Sequence, residues 1–167
     1  SEGLTWSNCG RTFIERCEIT AFGHAGVGGN EQGVTLRQNW IHHNGTSGLN
    51  HGIYWAGEGP CWVIGNTFYG NAGWGYHNHQ GAYDGWRGWK HNVHHNLFIG
   101  PGGAMVTTGS RGRYLHNTVI RASNAAFWFY NDGHRDNQIA NNIIVDSANS
   151  VHTRNGNTFA HNLTFTK

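Results

Sequence analysis

The middle of the chain carries four side chains of the types that transfer protons and neutralise carboxylates: Tyr54, His77, His79 and Arg87. His77 and His79 are one residue apart, so in an extended strand both imidazoles point to the same side. Removal of a proton next to a carboxylate needs a base, a cation and a proton donor, and histidine, arginine and tyrosine can fill these roles. Histidine normally titrates near neutral pH, which suits the base. We therefore take these four residues as the candidate catalytic group.

The His-x-His spacing also occurs in metal sites, which need further ligands. His51, Glu58 and Asp84 are the candidates for a third ligand. In a chain with 13 histidines, one such pair is a weak signal. Histidines that hydrogen-bond to turns are the simpler interpretation for most of them. The sequence thus predicts no metal site and no cofactor, although calcium is left open.

Acidic residues do not favour a glycoside hydrolase. Such enzymes need two carboxyl groups within about 5–10 Å of each other, and only nine Asp and Glu residues are present. Asp132, Asp136 and Asp146 have the sequence context of turns. Proton abstraction from a uronic acid, the first step of β-elimination, needs no carboxylate pair and fits the candidate residues better. C5-epimerases share that step and stay as an alternative.

A repeat shows which elements position these residues. The pattern apolar-x-x-Asn-x-apolar recurs every 20–30 residues, and a second column of a small residue followed by an apolar one keeps the same period. Such a period with short β segments is typical of a solenoid. We expect the repeated asparagines to form a ladder of stacked amides with a structural role. They are Asn39, Asn66, Asn96, Asn117, Asn142 and Asn162.

Two segments resemble a known superfamily. Asn50-His51-Gly52-Ile53-Tyr54 and Gly73-Trp74-Gly75-Tyr76-His77 are similar to recurring coil segments of the pectate-lyase-like, right-handed parallel β-helix repeat proteins. This resemblance implies an all-β, right-handed parallel β-helix of about seven coils of 20–30 residues. It also implies secretion and a polysaccharide substrate. Residues 1–167 are expected to form a single domain, a segment of a longer solenoid.

Alternation along the strands predicts which residues face outward. If Ile53 and Tyr76 point inward, the next residues, Tyr54 and His77, point outward. A row of exposed rings suits sugar binding, because a sugar ring has an apolar face; burial under loops is the alternative. The longest repeats add loops at 46–51 and 80–90, the second of which we expect to border a groove. The predicted substrate-binding residues are Asp84, Trp86, Trp89, Lys90, Trp128, Tyr130, His152 and Arg154.

Composition excludes other classes of partner. The net charge is only +2 and no block of Lys and Arg is present, so nucleic acid is not expected. The sequence contains no run of 18 apolar residues of the kind that crosses a membrane. The three cysteines, Cys9, Cys17 and Cys61, leave a Cys9–Cys17 disulfide open. Missing caps at both ends of the solenoid predict a fragment or end-to-end self-association.

The sequence thus supports two hypotheses. The first is a secreted lyase that acts on an acidic polysaccharide by β-elimination. The second is a non-catalytic carbohydrate-binding or structural β-helix segment, such as part of an adhesin or spike.

Overall fold

Short strands and turns make up the described part of the chain. The computed structural model describes residues 3–6, 11–29, 33–56, 60–79, 89–100, 102, 104–107, 110–129, 135–149, 151–152 and 156–166. Every regular element in these ranges is a strand. The same ranges contain no helix that is long and apolar enough to cross a membrane.

The described strands form three parallel sheets of seven strands each. Sheet 1 contains β1 (Leu4–Trp6), β4 (Val27–Gly29), β7 (Ile53–Trp55), β10 (Tyr76–Asn78), β13 (Met105–Thr107), β16 (Phe127–Phe129) and β19 (Val151–His152). Sheet 2 contains β2 (Thr12–Glu15), β5 (Val34–Arg37), β8 (Cys61–Ile64), β11 (His91–His94), β14 (Gly112–Leu115), β17 (Gln138–Ala140) and β20 (Thr158–Ala160). Sheet 3 contains β3 (Glu18–Thr20), β6 (Trp40–His42), β9 (Thr67–Tyr69), β12 (Leu97–Ile99), β15 (Thr118–Ile120), β18 (Ile143–Val145) and β21 (Leu163–Phe165).

Consecutive strands enter different sheets, and each coil adds one strand to every sheet. The chain therefore winds as a parallel β-solenoid, as the repeat predicts. The register aligns one column of sheet 1, Val27↔Ile53↔Tyr76↔Met105↔Phe127↔Val151. Ile53, Tyr76 and Phe127 in this column have no exposed surface. Burial of these side chains is the main stabilising contribution of each coil.

The predicted asparagine ladder runs along the turn between sheets 2 and 3. Each side-chain oxygen accepts from the backbone N–H and the side-chain amide of the asparagine one coil earlier, for example 2.8 and 3.1 Å from Asn66 to Asn96. Each side-chain amide also donates a hydrogen bond to a strand carbonyl, as from Asn96 Nδ2 to Val63 O at 2.8 Å. The ladder thus satisfies backbone groups that the turn would leave unpaired in the interior.

The residue before most ladder asparagines adopts a left-handed conformation. Its φ is 55° at Gln38, 58° at His95, 54° at His116 and 54° at His161. Asn and His adopt this conformation more readily than most residues. His95, His116 and His161 are therefore turn residues, as expected for most of the histidines, whereas His42 and His94, for which turns were also expected, are the last residues of β6 and β11.

Two of the cysteines are free thiols. Cys17 is exposed and Cys61 is buried. Cys17 occupies the first ladder position, where its N–H donates to Asn39 Oδ1 at 3.0 Å. Burial raises the pKa of Cys61 to about 12, so this thiol is unreactive at neutral pH. Cys9 lies outside the described residues, and the described thiols form no disulfide with each other.

Candidate functional site

The candidate site lies on the outer face of sheet 1. Its strands align Gly28, Tyr54, His77, Val106, Trp128 and His152 in one column. Within this column, Tyr54 and His77 are neighbours, as alternation along the strands predicts. Tyr54 and His77 are half-buried neighbours on β7 and β10. His79 follows β10 directly and is exposed, and its N–H donates to Trp55 O at 2.7 Å.

Three of the four predicted catalytic residues come together. The ring centroids of Tyr54 and His77 are 5.1 Å apart, and those of Tyr54 and His79 are 5.6 Å apart. His77 and His79 are 5.7 Å apart with nearly perpendicular rings. The fourth residue, Arg87, lies outside the described residues and stays a prediction. The three rings form a compact group that we call the Tyr54 cluster.

His51 lies beside the Tyr54 cluster, in the coil that carries Tyr54. Its ring stacks on Tyr54 with centroids 5.8 Å apart, and its Nε2 lies 2.7 Å from Nδ1 of His77. Its side chain is only 3% exposed. The sequence interpretation considered His51 only as a metal ligand. Its position at the end of an inserted loop, three residues before Tyr54, is the signal in the sequence for a place beside the cluster.

The loop at 46–51 holds His51 in place by local hydrogen bonds. Asn50 Oδ1 accepts from the backbone N–H groups of Thr46 and Ser47, both at 3.1 Å. Gly73 from the next coil fits tightly against this loop, because a Cβ at residue 73 would lie 2.5 Å from Asn50 O and 2.7 Å from His51 Nδ1. Only glycine leaves room for this approach.

Both hydrogen-bonded histidines are neutral near pH 7. Burial, followed by the charge of His79, lowers the pKa of His77 to about 4. Burial, followed by the charges of His77, His24 and His79, lowers the pKa of His51 to about 3. The expectation that His77 titrates near neutral pH is therefore not met, because the ring is largely shielded from water.

A second group of rings lies two strands further along sheet 1. Trp128 on β16 is half-buried and contacts Trp74, whose ring centroid is 5.5 Å away at an angle of 66°. Trp74 is 9% exposed, and its backbone N–H donates to His51 Nδ1 at 3.0 Å. Trp74 therefore connects the Tyr54 cluster with Trp128.

Two residues of the predicted groove, Trp89 and Lys90, lie next to residues of sheet 2. Lys90 is 2% exposed, contrary to the expectation that it borders an open groove. Its backbone hydrogen bonds to the neighbouring coils on both sides, since its N–H donates to Arg111 O and its carbonyl accepts from Cys61 N. Trp89 packs on the guanidinium of Arg113, an outward residue of sheet 2, at 4.2 Å.

The remaining predicted substrate-binding residues stay predictions. Asp84, Trp86, Tyr130 and Arg154 lie outside the described residues. His152 lies on β19, in register with Trp128.

Among the residues that the structure describes, no three His, Cys, Asp or Glu side chains are arranged to hold a metal ion.

The three stacked parallel sheets define a parallel β-helix. The family described as right handed beta helix region matches residues 1–167, and the chain belongs to that family. No curated protein and no solved structure is similar enough to the chain to count as a match.

Proposed function

We propose that the protein is a secreted polysaccharide lyase that cleaves an acidic glycan by β-elimination. The observation that supports this most is the Tyr54 cluster, in which three groups able to exchange or donate protons face outward within 6 Å of one another. One of these groups, His77, shares a hydrogen bond with the buried imidazole of His51. Strongly shifted histidines in a surface cluster are typical of functional sites.

The reaction needs groups that the cluster can supply. A base takes the proton from C5 of a uronic acid, and the electron pair of that C–H bond forms the C4=C5 double bond. The bond from C4 to the bridging oxygen breaks, and that oxygen takes a proton from an acid. A hydrogen-bond donor to the uronate carboxylate stabilises the charge that develops in between. Tyr54, His77 and His79 provide an acid, a base and such a donor, and Arg87 is the proposed cation.

A second candidate function is non-catalytic binding of a glycan. The contact of Trp128 with Trp74 favours it, because a half-buried indole on a strand face can stack on a sugar ring. In this alternative, His77 affects affinity only. A structural solenoid that associates end to end is a variant of this candidate.

An assay of the unsaturated product separates the two candidates. Alginate, pectate, hyaluronan and glucuronan are incubated with the protein, with and without calcium, and ultraviolet absorbance is followed. We expect absorbance to rise on one polymer and the rise to be lost in His77→Ala. The control is His161→Asn, which changes an exposed turn histidine to another residue that tolerates its φ of 54°.

A flat trace on every polymer would contradict the lyase. Retardation of the folded protein in a gel that contains one of these polymers would then support the binding function.

A further inference from the structure

The hydrogen bonds around His51 determine where its proton lies. The backbone N–H of Trp74 donates to Nδ1 of His51 at 3.0 Å. A backbone amide keeps its proton at neutral pH, so Nδ1 of His51 must be an unprotonated acceptor. The close fit of Gly73 against the same nitrogen keeps the ring in this orientation.

The proton position in His51 then fixes that in His77. A neutral imidazole with a bare Nδ1 carries its proton on Nε2. This Nε2–H points at Nδ1 of His77, 2.7 Å away, and donates to it. Nδ1 of His77 is therefore the acceptor, and the proton of neutral His77 lies on Nε2. A second proton on His77 would place N–H groups of the two rings against each other. A second proton on His51 would place its Nδ1–H against the backbone N–H of Trp74.

We propose that His51 is a positioning residue that fixes His77 as the tautomer with its proton on Nε2, so that His77 acts as a hydrogen-bond donor at the site. Its place in catalysis rests on the proposed function, whereas the tautomer itself does not. The lowered pKa values of both rings agree with this arrangement, because each ring has a nitrogen that must stay unprotonated.

The donor has a consequence for the substrate. Nε2 of His77 is buried and has no hydrogen-bond partner in the part of the chain that the structure describes. A buried N–H without a partner is unfavourable, and an acceptor oxygen of a ligand would relieve this cost. A uronate carboxylate is such an acceptor. His77 is then the donor to the carboxylate, and the role of base passes to Tyr54 or His79.

Long-range ¹H–¹⁵N correlation spectra of the labelled protein at pH 7 test the tautomer directly. In the wild type, we expect Nε2 of His77 to show the shift of a protonated nitrogen and Nδ1 that of a bare one. In His51→Phe the donor is lost while a ring remains, and His77 should become a mixture of tautomers. In His51→Gln the amide oxygen can accept from Trp74 and the amide nitrogen can donate to His77, so the wild-type pattern should return.

A mixed or Nδ1-protonated His77 in the wild type would overturn the inference, and so would an unchanged tautomer in folded His51→Phe. Gly73→Ala gives a second perturbation, because the added Cβ lies 2.7 Å from His51 Nδ1 and should also release the tautomer. Its control is Gly48→Ala, where the added Cβ meets nothing within 4 Å.

The spectra need no substrate, so they stand whether or not the protein is a lyase. If the absorbance assay shows lyase activity, kcat in His51→Phe should fall by about tenfold or more, with recovery in His51→Gln. A normal tautomer with a flat absorbance trace would leave the positioning role of His51 intact and remove the proposed function alone.

Discussion

Tyr54 occupies the centre of the candidate site. Its ring lies between the histidines of two coils, with His51 stacked at 5.8 Å and His79 at 5.6 Å. The phenol is therefore the group that can reach both a substrate above the sheet and the imidazoles beside it. If His77 is a donor, the hydroxyl of Tyr54 and the ring of His79 are the groups left for proton removal and proton return.

Replacement of Tyr54 by phenylalanine tests the role of this hydroxyl. We expect turnover to fall by about 10²-fold or more, in the range for a positioned acid or base, while affinity for the glycan changes little because the ring stays. Initial rates and gel retardation measure the two effects. Tyr69→Phe is the control, since Tyr69 is a tyrosine on sheet 3 and is 43% exposed. Equal loss in both variants would argue against a role for Tyr54 in the reaction.

The strand columns are the elements that the sequence predicts best. A period of 20–30 residues, combined with alternation along each strand, predicts the partners of Ile53, Tyr54, Tyr76 and His77 in the observed register. Both signals are local, because side chains alternate along any strand and every coil repeats the same inward position. The asparagine ladder follows from the same repeat.

The contacts between loops and strands could not be predicted from the sequence. The bond from His51 to His77 depends on the turn that Asn50 organises and on the small size of Gly73, which come from different coils. The pKa of His77 depends on burial by these neighbours. The sequence places Lys90 in a loop, because nothing local marks the residue at which the insertion ends and the parallel strands begin again.

Removal of an asparagine from the middle of the ladder should destabilise the solenoid more than removal of the last one. Asn96→Ala removes the hydrogen bonds of its side chain to the backbone N–H and amide group of Asn66, to the carbonyls of Val63 and His94, and to Asn117 Oδ1. Asn117 Oδ1 keeps the bond from the backbone N–H of residue 96. At about 1–3 kcal/mol for each buried group, we expect the free energy of unfolding to fall by about 3 kcal/mol or more. In Asn162→Ala the site is half-exposed and water can replace the amide, so a loss of about 1 kcal/mol is expected. Urea unfolding measures both, and equal losses would contradict a structural ladder.

The whole molecule should be sensitive to acid. His91 is completely buried between Tyr76 and Asn78, with hydrogen bonds of 2.8 and 2.7 Å. Burial, followed by the charge of Lys90, lowers its pKa to about 3. The pKa values of His51 and His77 are lowered as well. These histidines stay neutral in the folded chain and take up protons near pH 6.5 when it unfolds.

The unfolded state therefore binds more protons below about pH 6.5, and stability falls as the pH is lowered from there. Each such histidine contributes about 1.4 kcal/mol per pH unit, or about 2 kcal/mol between pH 6.5 and pH 5. His91→Gln should reduce the drop by about that amount. Urea unfolding at pH 8, 6.5 and 5 measures it, and an identical pH dependence in the variant and the wild type would contradict this role of His91.

The location of substrate binding is the central claim, and a crystal structure of His77→Ala with an acidic oligosaccharide tests it most directly. The variant keeps the sheet and slows turnover, so an uncleaved chain can bind. We predict uronate rings over Tyr54 and His79, with a carboxylate near the space that His77 leaves. An oligosaccharide bound to another sheet, with the Tyr54 cluster empty, would contradict the account.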